Sequence, residues 1–292
     1  MCRFNLSLGM QVQYLSASSL VFSFLISIAG FSQTPNRSAG IQLKDTQGYY
    51  RSFDSTRIYF ESHGQGNPVV LFHGFTANGE SWKRTPFYAA LLQAGFRVIN
   101  MDLRGNGRSD KPHNAEAYAH DAEARDIIGL LNALSVRAYQ VAGYSRGSII
   151  TARLLVLDPR IVRAILGGMG ADFTNPDWPR RIQFFHALSG DSVPGLEAMV
   201  RHVREAGLDQ QALALMQKEQ PSTSRQELAS IRQPVLVLCG DKDSDNGSSQ
   251  ELTSLIPHAV HANVPGDHGA AVSTPEFAEK AVSFFEGKPP AP

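Results

Sequence analysis

The chain has 292 residues, of which 42% are hydrophobic, 9% aromatic and 18% charged, and its 27 Lys and Arg balance its 27 Asp and Glu to a net charge of zero. This apolar content excludes a disordered chain, and the length allows one large domain or two small ones with a core that needs neither metals nor disulfides. With no basic excess there is no electrostatic footprint for a nucleic-acid backbone, and two cysteines, Cys2 and Cys239, exclude a disulfide framework and a cysteine-ligated metal centre.

Taken in chain order, the N-terminus reads as a leader. Arg3 is the only charge before Arg37, and an apolar run from Leu20 to Phe31 spans 12 residues. That is short for a membrane span, which needs about 20 residues, but fits the apolar core of a secretory signal. Gly30 and Ser32 supply the small residues of a cleavage site, so cleavage would leave Gln33 first. Residues 1–32 are therefore expected to be a signal peptide, with export to the periplasm or medium and no membrane span once it is removed. An uncleaved anchor, a buried helix, or initiation at Met10 with a cytoplasmic product are the competing readings.

From about Tyr49, short apolar runs alternate with helical patterns. Pro68–Phe72, Arg97–Met101, Tyr139–Ala142, Val162–Leu166, Pro234–Cys239 and the weaker His261–Val264 read as strands. Their continuous, β-branched character is that of strands buried on both faces. Phe87–Ala94, Ala122–Leu134, Ser148–Leu157 and Pro275–Phe285 read as helices; Ile127, Ile128, Leu131 and Leu134 share one face of the second. Strand–helix alternation predicts an α/β fold with a mostly parallel sheet covered on both sides. The rhythm breaks between Leu166 and Pro234, where Leu196, Met199, Val200 and Val203 recur at helical spacing. An insertion this long is either functional or a subdomain of its own. The expected organisation is a core over 33–170 and 234–287 with a small helical lid over 171–233.

The strongest chemical signal is Gly143-Tyr144-Ser145-Arg146-Gly147, directly after one predicted strand and before a helix. A serine at such a turn takes a strained backbone, and side chains two positions away would collide with it, hence glycine at both. Its hydroxyl then projects above the strand end, where the helix N-terminus favours developing negative charge. Serine is a weak nucleophile at its free pKa and needs a base.

Further motifs follow in order: His73-Gly74-Phe75 after a strand; Asp102-Leu103-Arg104-Gly105-Asn106-Gly107-Arg108-Ser109 running on to Pro112; Gly240-Asp241-Lys242-Asp243 after a strand; and Gly266-Asp267-His268. Together with the serine turn they resemble the α/β hydrolases, in particular esterases, cofactor-free haloperoxidases and epoxide hydrolases, over about Tyr49 to Phe285. The resemblance implies the α/β-hydrolase fold with Ser145 as nucleophile, His268 as base and Asp243 as the acid that orients it. It implies an oxyanion hole from the backbone N–H groups of Phe75 and Arg146, with His73 structural. Asp241 and Asp245 lie close to the acid position, and Asp172 occupies a site that some members use instead. Dehalogenases and epoxide hydrolases of this fold carry aspartate at the elbow, so Ser145 points to an acyl-enzyme formed from an ester. Two positions depart from the pattern: Arg146 replaces an apolar residue and is expected to be an ion-pair partner, with contact to an anionic substrate as the alternative, and Ser148 replaces a frequent glycine.

The Gly105–Gly107 loop lacks phosphate-binding spacing and reads as a structural turn, and neither a metal motif nor a cofactor motif is present. Trp178, Phe184, Phe185 and Met199 are candidates for an acyl pocket, each also readable as packing. Cys239 reads as a core residue. The function expected is hydrolysis of a small or medium carboxylic ester without a cofactor. The same triad also serves lactone, amide or carbon–carbon hydrolysis and peracid formation. A ligand-binding receptor on this fold is the reading from another class, against which the intact triad counts.

Overall fold

A computed structural model describes residues 45–288; the expected signal peptide at 1–32 lies outside the described residues. In chain order the elements are β1 (Thr46–Arg51), β2 (Arg57–His63), β3 (Pro68–Phe72), α1 (Glu80–Lys83), α2 (Pro86–Gln93), β4 (Arg97–Met101), α3 (Ala122–Ala133), β5 (Tyr139–Tyr144), α4 (Arg146–Leu157) and β6 (Ile161–Gly167). There follow α5 (Pro179–Ser189), α6 (Glu197–Glu205), α7 (Gln210–Lys218), α8 (Arg225–Ser230), β7 (Val235–Gly240), α9 (Ser249–Leu255), β8 (Ala259–Val264) and α10 (Pro275–Phe285).

The eight strands form one sheet in the order β1-β2-β4-β3-β5-β6-β7-β8. From β4 to β8 all pairings are parallel, whereas β1 and β2 pair antiparallel with each other and β2 with β4. The six strands expected from the sequence are all present. The β1–β2 hairpin is an addition.

Alternation along each strand builds the two faces. Val70 and Phe72 of β3, with Val235 and Val237 of β7, join residues of α3, α4, α8 and α9 on one side. Val69 and Leu71, with Leu236 and Leu238, join Trp82, Phe87, Leu91, Phe277 and Phe284 on the other. Cys239 is buried in the first face, and burial pushes its thiol up to about 11.

Between β6 and β7 a third apolar cluster, containing Leu188, Val203, Leu213 and Met216, holds α5, α6 and α7 together. The flanks of this insertion pack elsewhere: Ala171, Phe173, Trp178 and Leu228 belong to the first sheet face. Among the described residues, no helix is long and apolar enough to cross a membrane.

Candidate active site

The site is assembled at the C-terminal ends of parallel strands, where crossovers leave a crevice. Ser145 stands between β5 and α4 with φ +54°, a left-handed conformation costly for any residue but glycine. The elbow has no room for side chains on either side: a Cβ on Gly143 would meet the carbonyl oxygen of Gly147 at 2.1 Å, and one on Gly147 that of Phe72 at 2.2 Å. The turn is held by the Ser145 N–H donating to Gly167 O at 2.8 Å. Ser148 adds its hydroxyl, within 2.8 Å of Gly167 O and 3.0 Å of Gly143 O. Its hydroxyl thus fastens the elbow to β6, a bond that glycine at this position would lack.

His268, from the loop after β8, approaches from the side. Its Nε2 lies 2.9 Å from Ser145 Oγ, and its Nδ1 lies 2.8 Å from Asp243 Oδ2. With Nδ1–H donated to the carboxylate, Nε2 is free to accept the serine proton. Asp243 follows β7, and its second oxygen accepts the N–H of Asp245 at 3.2 Å. Burial pushes the Asp243 carboxyl up, but the hydrogen bond and charge of His268 outweigh it, holding the group below its ordinary value. Tyr144 secures the same loop, donating its hydroxyl to the His268 carbonyl at 2.6 Å.

The neighbouring acids do other work. Asp241 Oδ1 accepts the Gly266 N–H at 2.9 Å, tying the β7 and β8 turns together. Asp245 sits 3.5 Å from Arg180, and Asp172 is exposed; neither meets His268.

Gly74 brings the loop after β3 against the nucleophile, since a Cβ there would lie 3.6 Å from Ser145 Cβ. The next peptide is braced by Asn106, whose Nδ2 donates to Phe75 O at 2.9 Å. His73 is buried beneath the loop: Nδ1–H donates to Gly74 O at 2.8 Å and Nε2 accepts from Leu103 N at 3.1 Å. Burial lowers its pKa, and both ring nitrogens are used in the neutral form, so its role is structural. The Gly-rich loop is likewise a turn, with Asp102 accepting the N–H groups of Gly79 and Arg108 at 2.7 Å each.

Arg146 turns away from the site and forms a bidentate pair with Glu123 at 2.6 and 2.7 Å, both side chains about 95% buried, with exposures of 4% and 5%. Its Nε is buried without a partner.

Ser145 borders two spaces. One is an open cleft of about 500 Å³ whose walls include Phe75, Phe184, Met199, His268 and Val272. The other is a small cavity of about 50 Å³ beneath α5, bordered by Trp178, Arg181, Gln217, Gln220 and Asn246. Of the four pocket residues expected from the sequence, Trp178 lines the small cavity, Met199 the cleft, and Phe184 both. Phe185 lines neither; one position along α5 from Phe184, it faces the α5–α7 cluster. The polar wall of the small cavity is absent from the sequence expectation. One readable signal was there: Arg180 and Arg181 occupy the first turn of α5, which has no acid, although a helix N-terminus favours negative charge. Among the described residues, no group of three or more His, Cys, Asp or Glu is placed to hold a metal ion.

Comparison with known proteins agrees with this architecture. A family model for the α/β hydrolase fold matches residues 67–192. A non-heme chloroperoxidase of Streptomyces lividans is 33% identical over 139 residues, covering 44% of this chain and 49% of the relative. Bifunctional epoxide hydrolase 2 of Sus scrofa is 32% identical over 120 residues, 41% of this chain and 21% of the relative. The chain thus matches less than half of the length of these curated relatives. Among solved structures, the bromoperoxidase of Bacillus anthracis superposes with a TM-score of 0.66 at 25% identity, covering 82% of this chain and 100% of that one. The chain has the α/β-hydrolase fold.

Proposed function

We propose that this protein is a serine hydrolase that cleaves a carboxylic ester through an acyl-enzyme, using Ser145, His268 and Asp243. The observation that carries the proposal is the unbroken relay from Asp243 Oδ2 through both nitrogens of His268 to Ser145 Oγ, with both links under 3 Å at 2.8 and 2.9 Å. Serine at the elbow favours an ester over an epoxide, since the hydroxyl forms an acyl ester with a carbonyl substrate.

In the first half-reaction Ser145 Oγ attacks the carbonyl carbon while His268 Nε2 takes its proton. The carbonyl π pair moves to oxygen, and the N–H groups of Phe75 and Arg146 stabilise that charge; losing one such donor typically costs about 100- to 1000-fold. His268 then gives its proton to the departing alkoxide, leaving acyl-Ser145 and the alcohol. In the second half water attacks the acyl carbon, its proton passes to His268, and collapse releases the acid and restores the Ser145 hydroxyl. Asp243 keeps the Nδ1–H tautomer and stabilises the imidazolium without taking the proton. The helices α5–α7, which contribute Phe184 and Met199 to the cleft, act as the lid over it.

The test is covalent capture. A fluorophosphonate is expected to label Ser145, located by peptide mass spectrometry, and Ser145→Ala is expected to abolish both labelling and ester turnover while keeping the native melting transition. A protein that labels elsewhere, or whose Ser145→Ala variant stays near wild-type activity, is not this enzyme. Export, proposed from the leader alone, is tested by N-terminal sequencing of mature protein, expected to begin near Gln33.

A further inference from the structure

We infer that the small cavity beside Ser145 takes a short acyl group ending in a carboxylate, so that the substrate class is the hemiester of a short dicarboxylic acid. The inference rests on the serine-hydrolase reading and extends it to the substrate.

The two spaces that Ser145 borders are chemically distinct in their relation to the base. The departing oxygen must receive its proton from His268 Nε2 and so has to lie within hydrogen-bond reach of it. His268 lines the open cleft and not the small cavity. The alcohol therefore leaves through the cleft. The small cavity borders Phe75 and Arg146, whose N–H groups would hold the carbonyl oxygen, and it receives the acyl side.

Its size limits that side. At about 50 Å³ against about 500 Å³ for the cleft, it is much the smaller of the two spaces and receives the shorter arm of the substrate.

Its walls define the charge. Gln217 and Gln220 are 4% and 9% exposed, and neither side-chain amide has a hydrogen-bond partner among the described residues. Arg181 is held by its terminal nitrogens on carbonyl oxygens, those of Lys218 at 2.9 Å, Gln217 at 3.2 Å and Pro176. Its Nε is buried and unpartnered, and it makes no ion pair with a described carboxylate. Arg180, also on the rim, is only 3.5 Å from Asp245. No Asp or Glu lines the cavity. Arg146, which borders the same cavity, likewise keeps its Nε buried without a partner; unpaired donors of this kind are costly, and a wall that carries them beside its apolar residues discriminates against ligands that leave it unpaired. A carboxylate offers only acceptors, matching the two amide NH₂ groups, and supplies the negative charge that the Arg181 guanidinium lacks.

The experiment compares monoethyl malonate with ethyl isovalerate, its neutral counterpart with the same number of non-hydrogen atoms, and with ethyl octanoate. Turnover is followed by pH-stat at pH 7.5, with kcat/KM for each ester divided by its rate with hydroxide. The hemiester is expected to lead the neutral ester by at least about tenfold, with the octanoate last. Arg181→Gln is expected to reduce the hemiester-to-isovalerate ratio by about tenfold or more, mainly through KM for the hemiester. Because Arg181 also holds backbone carbonyls, Gln220→Leu is made in parallel, with circular dichroism on both variants, and is expected to shift the ratio in the same direction. Equal or faster turnover of either neutral ester by the wild type, or a ratio that survives both substitutions in folded protein, overturns the inference. If Ser145 takes the fluorophosphonate but shows no hemiester preference, only the substrate assignment fails; if it takes none, the serine-hydrolase reading fails with it.

Discussion

The polar groups that the sheet delivers to the site and those that the inserted helices deliver are treated in opposite ways. Around the strand ends the loops that carry Ser145, His268 and Asp243 are fastened by satisfied bonds, although Arg146 Nε and Asn106 Oδ1 are left without partners: Asp243 is bonded at both oxygens, Asp241 and Tyr144 tie the loops together, and His73 uses both ring nitrogens. In the insertion, Arg181 Nε is buried without a partner, and the Gln217 and Gln220 amides border the small cavity with no hydrogen bond of their own among the described residues. Hydrogen bonds satisfied within the chain keep reacting atoms in place, and such preorganisation is where rate comes from. Groups left unsatisfied gain their partners from a ligand, and that is where discrimination comes from. One half of the site is finished by folding and the other by binding.

Substitutions that unpick the sheet's bonds test this contrast. The largest effect is expected at Asp243→Asn, which keeps the shape but loses the tautomer control: turnover should fall by roughly 10⁴, whereas Asp241→Asn, acting only on a loop tie, should cost far less. Steady-state kinetics on the two variants decides which carboxylate serves the relay, and the reverse ranking would move that role two positions along the chain.

Next in size is the pair beneath the nucleophile. Glu123→Gln leaves Arg146 charged and buried without its partner, and breaking such a pair is expected to destabilise by about 3–5 kcal/mol, a fall in Tm on the order of 10 °C for a domain of this size. Glu123→Leu combined with Arg146→Met should recover much of that loss, since apolar replacement of a buried pair is often neutral. Differential scanning calorimetry checks both, and an unchanged Tm in Glu123→Gln would show that the pair contributes nothing.

A smaller effect is expected from pH. Burial holds His73 neutral in the folded state, below its ordinary value of 6.5. As pH falls through about 6.5 the unfolded chain takes up a proton that the folded chain refuses, so stability drops with a slope of up to about 1.4 kcal/mol per pH unit. Above that range the penalty vanishes. Urea unfolding at pH 7.5 and 5.5 is expected to show this loss, and His73→Gln should show less of it, because glutamine has no proton to gain.

Most of the sheet was legible because its central strands are buried on both faces and so appear as unbroken apolar runs. Val69, Val70, Leu71 and Phe72 are all inaccessible to solvent. The β1–β2 hairpin was not legible. Its edge strand reads Thr-Gln-Gly-Tyr-Tyr-Arg with Tyr49 51% exposed, and an edge of this kind needs no apolar run to hold its place. The serine, histidine and aspartate were legible because each lies in a turn whose glycines and chain order carry information. Phe185 and Phe184 were indistinguishable in sequence, as adjacent helix residues differ only in which way they face. Gln217 and Gln220 were hidden for a different reason: glutamine is ordinarily a surface residue, and only the packing of α7 against α5 turns Gln217 inward, with Gln220 just past the end of α7.

The Tyr144 hydroxyl bond to the His268 backbone spans 124 positions of sequence yet sits one residue from the nucleophile. Strand end and histidine loop are thereby stitched together immediately beside the contact between Ser145 Oγ and His268 Nε2. A breathing motion that lifts the loop must drag the strand end with it, so serine and imidazole travel as one body.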